Sequence, residues 1–394
     1  MSADVIVIGA GVIGAATAFQ LSLAGAGQVL VLDRATAGAG MSCRSSALIR
    51  MHYTFAPEVE LALRSDAMFE AWPELTGRPG CVRRTGFVRI VRPGEEAALR
   101  ANVAMQRALG ARAELIDAAG LKEVAPGLRT DDIEWAAWEP DGGYGDGAVV
   151  AGDLLAAARE YGVRYRPNTT VRSLLRTGGR VTGVLTETGD LEYADTVVVA
   201  AGVWSPPLLR TAGVSLPIET ELHHVAMLAH AEGHGASVAC IDSTTASYFR
   251  PEGGSGTRTL VGSFTGPRGA DPDTDVAATA SLDELAPQVQ AAADRVPALA
   301  DAGLAGSVTG VYDMTPDARP LLGPAPGIDG LIVAAGFSGM GFKIAPAVGE
   351  SLAALITGTV SMSTARGAVD LTPFRPDRFA EGRPIEADNP YSDD

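Results

Sequence analysis

The chain begins with an apolar run, a glycine-dense turn and a helical pattern in immediate succession, and few folds accommodate that order. Val5-Ile6-Val7-Ile8 is followed by Gly9-Ala10-Gly11-Val12-Ile13-Gly14, and residues 15–24 then alternate small and large apolar side chains at helical spacing. A second strand is predicted over 28–32 and ends in Asp33, one βαβ length after the glycines. Gly9 makes the tight turn, Gly11 lets the backbone approach a pyrophosphate, and Gly14 lets the helix pack closely on the strand. The first turn of the helix offers unpaired N–H groups and a partial positive charge to phosphate oxygens. Asp33 would accept hydrogen bonds from ribose hydroxyls and repel a 2′-phosphate, which disfavours NADP. The competing reading, a glycine-rich βα turn that binds nothing, leaves the acid at that distance without a purpose.

With 394 residues, 46% of them hydrophobic and 20% charged, the chain is long enough for two domains and an ordinary globular core. Its net charge of −16 works against nucleic acid or an anionic membrane surface as partner. Cys43, Cys81 and Cys240 have no paired spacing, so neither a disulfide framework nor a zinc site is expected, as suits a reducing cytoplasm. The apolar start lacks the basic flank of a signal peptide, and no run approaches the length of a membrane span.

After Asp33 and Arg34, residues 35–46 form a loop of small residues whose backbone and hydroxyl donors suit a wrapped polar ligand; a mobile surface loop is the bland alternative. Arg50 emerges from apolar company and is either an anion binder or a structural arginine paired with a local carboxylate. A helix is predicted over 57–75. From residue 80 to 138 the texture changes to short strands, 86–91 and 133–138, around a helix at 95–109, which reads as an inserted second domain. A tight loop at 140–147 leads into a helix at 148–161, and strands follow at 164–171, 181–187 and 190–194. Thr196-Val197-Val198-Val199-Ala200-Ala201-Gly202 shows no alternation, implying burial on both faces of a parallel sheet, so the first domain resumes there. Residues 200–204 fall at the carboxyl end of that strand, where ligands bind in open α/β sheets. Residues 216–265 are β-rich and contain His223, His224, Tyr248 and Arg250, and 283–296 is helical. The histidines lack metal-ligand spacing, so no metal is expected. Near the end, 331–335 is a second buried strand, running into Gly336-Phe337-Ser338-Gly339-Met340-Gly341-Phe342-Lys343 and a helix at 345–356. Lys343 opposes the helix dipole, and a residue that breaks a local rule is a candidate for function. Beyond residue 379 the chain turns acidic and proline-containing, and 381–394 is expected to be a flexible tail.

Together these segments resemble the FAD-dependent oxidoreductases of the D-amino-acid oxidase group, in particular the sarcosine oxidase, dimethylglycine dehydrogenase and proline dehydrogenase β-subunit branch. The likeness runs from the opening turn through 42–47, 196–202 and 312–323 to 336–343. It implies an α/β fold: a Rossmann-like FAD-binding domain (1–80, 140–215, 308–380) with an inserted α+β substrate domain built on a mainly antiparallel sheet (81–139, 216–307). It implies FAD, with ADP on the first unit and the ring between the domains. The implied cofactor contacts are Gly9, Gly11, Val12, Ile13, Gly14, Asp33 and Arg34 in the first unit, and Ser42, Arg44, Ser45, Ser46 and Ala47 in the small-residue loop. Val171, Ala200, Ala201, Gly202 and Trp204 follow, then Gly310, Arg319, Gly339, Met340, Gly341, Phe342 and Lys343. By the same resemblance Arg50 matches the arginine that binds the substrate carboxylate, Lys343 assists it, and Tyr312 and Tyr248 line the substrate pocket.

Gly310 stands where some relatives carry a flavin-linking cysteine, and Arg44 and Tyr144-Gly145 stand where others carry a linking histidine, so the FAD is expected to be non-covalent. Leu260 occupies the place of a lysine associated with oxygen activation, and Met340 that of a frequent histidine. The implied activity is oxidation of a C–N bond in a small amino acid or secondary or N-methylated amine, by hydride transfer to flavin N5, giving an imine that hydrolyses. O2 or an electron-accepting partner would take the electrons, and a dehydrogenase or subunit of a larger oxidoreductase is the alternative. A non-catalytic nucleotide-binding module is a third reading, against which the set of Arg50, Tyr312 and Lys343 stands.

Overall fold

The structure is a computed structural model that describes residues 3–359 and 367–392. The opening run forms a strand, Ala3–Ile8, buried along most of its length and paired in parallel on one side with Val29–Leu32 and on the other with Leu191–Val199. Leu331–Ala335 lies parallel against the far side of Leu191–Val199 and carries Leu321–Pro324 antiparallel at the edge. Residues 5–8, 29–32, 197–199 and 331–335 are apolar and rich in β-branched side chains, as suits strands buried on both faces of a sheet. On one face the helix Val12–Leu23 is wedged between Gly147–Glu160 and Gly341–Thr357. The crossing is close enough that a Cβ on Gly349 would lie 2.5 Å from the carbonyl carbon of Ala16. The helix Ala56–Glu70 joins this layer through a fully buried ion pair, in which Arg64 Nε donates to Glu350 Oε2 at 2.6 Å and Nη2 to Oε1 at 2.5 Å.

The second sheet runs Gly303–Met314, Glu219–Ala229, Arg258–Ser263, Ser247–Pro251, Ala239–Asp242, Phe87–Ile90, Trp135–Glu139, Glu114–Asp117. Every pairing is antiparallel except Phe87–Ile90 with Ala239–Asp242, where the two halves of the insertion meet. The helix Leu282–Arg295 covers its outer face, opened by a capping box between Ser281 and Glu284. Its last residue, Arg295, is buried and donates to Asp242 Oδ2 at 2.6 Å and to Asp132. A three-stranded sheet of Leu48–Ile49, Gly143–Tyr144 and Arg83–Arg84 bridges the two large sheets.

Several local expectations are corrected. The segments 190–194 and 196–202 form one strand, Leu191–Val199, whose outer half pairs antiparallel with Arg180–Thr186 and whose inner half enters the parallel sheet. Gly303–Met314 pairs with Glu219–Ala229 from end to end, so it crosses the expected boundary at 307; its glycines look like loop punctuation but sit in the ladder. The helix expected over 57–75 breaks at Ala71 because Pro73 lacks the N–H that continuation needs. The strand expected over 164–171 divides at Asn168, which takes φ 52°. Glu114–Asp117 and the helix Ala118–Val124 were not anticipated.

The expected flexible tail is docked. Ile385 N donates to Asp317 Oδ2 at 2.9 Å, Asn102 Nδ2 donates to the Asn389 carbonyl at 2.9 Å, and Ser392 N donates to Glu95 Oε1 at 2.7 Å. Acidic composition obscured these anchors, which lie on distant elements. Residues 393 and 394 fall outside the described residues. Among the described residues no helix is long and apolar enough to cross a membrane.

Candidate active site

A cavity of about 350 Å³ begins at the N-terminus of Val12–Leu23 and runs across the carboxyl ends of the parallel strands to the second sheet. Its three opening glycines differ in purpose. Gly9 has φ +106°, and a Cβ there would sit 2.3 Å from the Ala200 carbonyl oxygen; one on Gly14 would sit 1.9 Å from the Gly9 oxygen. Both are required by the protein's own packing. A Cβ on Gly11 would meet only Ser42 Oγ, at 3.1 Å, and would otherwise project into the cavity, so its missing side chain leaves room for a ligand. Asp33 lies on the same wall, accepting from Ala10 N at 2.6 Å and Ala35 N at 2.7 Å, with burial pushing its pKa up. Val12, Ile13, Arg34, Ser42, Arg44, Ser45, Ala200, Ala201, Gly202, Trp204, Gly310, Gly339, Gly341 and Phe342 line the remainder. A helix N-terminus, a glycine cradle and an acid at the end of the second strand, with a long apolar slot beyond them, fit the shape and chemistry of FAD.

Across the rim, Arg34 Nη2 pairs with Asp273 Oδ1 at 2.7 Å, Trp204 Nε1 donates to the same oxygen at 2.9 Å, and the Arg34 guanidinium lies 4.6 Å over the Trp204 ring. Arg44 Nη1 reaches the Thr309 carbonyl at 3.1 Å. Pro272, Asp273 and Val276, which line this rim, were missed because they come from a loop of the other domain with no motif of its own.

A second cavity of about 240 Å³ adjoins the first, and Tyr312 and Gly339 line both. A side chain at Gly339 would collide with the Tyr312 ring, its Cβ at 2.6 Å, and its φ of +81° excludes one in any case. Seven expected cofactor contacts lie away from the first cavity. Ser46, Arg319, Met340 and Lys343 line the second. Gly14 is consumed by helix packing, Ala47 is buried beneath the loop at φ 50°, and Val171 begins a strand on the antiparallel flap.

Arg50 and Lys343, far apart in the chain, both line this second cavity. The Arg50 guanidinium lies 4.2 Å over the Tyr53 ring and 6.0 Å from that of Phe87, and its buried Nε has no hydrogen-bond partner. Lys343 is buried in the first turn of Gly341–Thr357, and its pKa is held well below the usual lysine range by burial and then by Arg50. No Asp or Glu occurs among the described residues lining this cavity. Arg319 is different: its Nε pairs with the buried Glu58 at 2.9 Å and its Nη2 donates to Thr54. Beneath Arg50, Glu139 accepts from Met51 N at 2.8 Å; burial raises its pKa to about 8, against the pull of Met51 N and Arg50.

Tyr248 and Tyr312 also line this cavity, and burial raises both pKa values. Behind Tyr312 the His223 ring stacks at 3.9 Å between centroids, and His223 Nε2 lies 3.0 Å from Glu221 Oε1. The hydrogen bond from His223 holds Glu221 below its ordinary pKa. His223 was read as a core or surface histidine; only the pairing of Glu219–Ala229 with Gly303–Met314 brings it to Tyr312. Leu260 is buried in an apolar cluster with Leu48, Val225 and Tyr248.

A family model described as FAD dependent oxidoreductase matches residues 4–355. The chain is 30% identical over 381 residues to a 4-methylaminobutanoate oxidase (formaldehyde-forming) of Paenarthrobacter nicotinovorans, covering 94% of this chain but only 45% of that protein. It is 28% identical over 384 residues to the glycine oxidase of Pseudomonas putida, covering 96% and 99% of the two chains. The crystal structure of L-proline dehydrogenase from P. horikoshii superposes with a TM-score of 0.87 at 26% identity, over 98% of this chain and 99% of that one.

Proposed function

Because this chain belongs to the FAD dependent oxidoreductase family, we propose that it oxidises the C–N bond of a small amino acid or N-methylated amino acid held in the second cavity. FAD, when bound in the first cavity, supplies the acceptor for the hydride that leaves the carbon next to nitrogen. The observation that carries this reading is the convergence of Arg50 and Lys343 on a cavity without a lining carboxylate, beside the junction at Tyr312 and Gly339.

A carboxylate entering there meets a guanidinium whose Nε lacks a partner and a buried lysine whose pKa is pulled down by desolvation and by Arg50. Its negative charge opposes that shift and favours the ammonium form of Lys343. Two cationic contacts at one end of a small molecule fix its orientation, which is the protein's main contribution to such a reaction. Tyr248 and Tyr312 remain protonated and serve as hydrogen-bonding walls rather than bases. Imine hydrolysis completes the conversion in water.

Leu260, standing where the resembled branch carries a lysine associated with oxygen activation, favours passage of electrons to an acceptor other than O2. Anaerobic mixing of the holoprotein with N-methylglycine, glycine, proline and other small amino acids, followed at the flavin absorbance, tests the main reading. Bleaching by at least one of them is expected, and failure of all to bleach refutes it. Slow reoxidation of the bleached enzyme in air would favour the second acceptor.

A further inference from the structure

We propose that Tyr391 is a specificity-determining residue, whose ring limits the length of the substituent that a substrate carries past the carboxylate clamp. This inference rests on the proposed reading of the second cavity as the substrate chamber.

Tyr391 lines that chamber, and it comes from the docked segment at the end of the chain. It is 5% exposed. Its hydroxyl lies 2.8 Å from His52 Nε2, its ring is nearly parallel to the imidazole at 5.9 Å, and the Arg89 guanidinium sits 4.9 Å from the ring centroid. His52 and Arg89 also line the second cavity and not the first, so this wall belongs to the part of the chamber away from the cofactor. The backbone on either side is pinned, by Asn102 to the Asn389 carbonyl and by Ser392 N to Glu95. A ring held by its hydroxyl, by stacking and by its flanking backbone is a fixed stop. His52 is fully buried, and desolvation together with the neighbouring arginines keeps it neutral, so the contact is a neutral hydrogen bond that persists at physiological pH. The chamber's 240 Å³ lies below the roughly 300–1,000 Å³ of common small-molecule sites, which already points to a substrate of few heavy atoms.

The test uses the holoprotein, wild type and three variants, with two series: straight-chain N-alkylglycines from methyl to butyl, and α-amino acids from alanine to norleucine. In the wild type kcat/KM should fall at least tenfold between the shortest and longest members of one series. Tyr391→Ala should move that cut-off outward by two or more carbons. Tyr391→Trp should move it inward, and Tyr391→Phe, which keeps the ring, should leave it in place. A common loss for all lengths in Tyr391→Ala, or an unmoved cut-off in both Ala and Trp variants, overturns the proposal. Binding of the non-reacting carboxylates from acetate to hexanoate, read as a shift in flavin absorbance, gives the same length profile without turnover. If no amine bleaches the flavin but the carboxylate profile shifts with residue 391, the oxidation reading fails and the wall stands. If amines react and neither profile shifts, the reverse holds.

Discussion

Replacing Arg50 by methionine removes the guanidinium's donors while keeping much of the side-chain length that packs on Tyr53. Hydrogen bonds to charged groups contribute about 1.5–3 kcal/mol. At 1.36 kcal/mol per factor of ten, kcat/KM for an amino-acid substrate should therefore drop about 10- to 150-fold. The environment favours a clean measurement. Glu139, which feels the Arg50 charge, has its pKa at about 8 and is largely protonated at pH 7, so the substitution strands no buried carboxylate. Losing the arginine's pull raises that pKa further, and the Tm should change little. The assay compares steady-state kcat/KM of wild type and Arg50→Met for N-methylglycine and for N-methylpropylamine, which lacks a carboxylate. The uncharged-tail amine should be a poor wild-type substrate and nearly indifferent to the substitution. Equal slowing of both, or a wild-type preference for the amine, would refute the clamp and leave Arg50 as a structural residue.

Glu139 itself should register in the pH dependence of stability. Its folded pKa of about 8 exceeds the ordinary 4.5, so its contribution is fully present below about pH 4.5 and is lost as pH rises through 8. The Tm of Glu139→Gln relative to wild type should accordingly improve between pH 5 and pH 8.5, and a constant difference would contradict the assignment. Gly11 has φ −70° and ψ 179°, which valine can adopt, so Gly11→Val should keep a native circular dichroism spectrum yet purify without FAD. Arg64→Leu removes the buried ion pair between Arg64 and Glu350 and should cost about 3–5 kcal/mol in denaturant unfolding. Acid precipitation should release all the flavin to the supernatant, because Gly310 offers no side chain to attach it and Arg44 is spent on backbone carbonyls.

What could be read from the chain was what local chemistry dictates. Gly9, Gly11 and Asp33 announced their cavity because a pyrophosphate on a helix N-terminus needs those residue types within one βαβ unit. Lys343 was conspicuous because it opposes a helix dipole, and the cavity it faces supplies a reason for it. Arg319 was misplaced because its partner, Glu58, lies far away in sequence and nothing local distinguishes an ion-paired arginine from one that meets a ligand. Asp273 and Tyr391 were invisible as site residues for a related reason. Each reaches its wall from a segment whose own composition reads as loop or tail.

The parallel sheet has a consequence for how the chain must assemble. Its central strand, Ala3–Ile8, depends on segments far along the chain: Val5 pairs with Thr196, and Val197 in turn pairs with Leu331. Closing such long loops is entropically costly before any contact rewards it, and high contact order slows folding. The nascent chain therefore carries one edge of this largely apolar strand unpaired until residues 194–199 have emerged, a state prone to aggregation. Flavin uptake must come late, after residue 335 has joined the sheet. By mass action the cofactor then draws the population toward the native state, so the yield of soluble protein in a producing cell should follow its FAD supply.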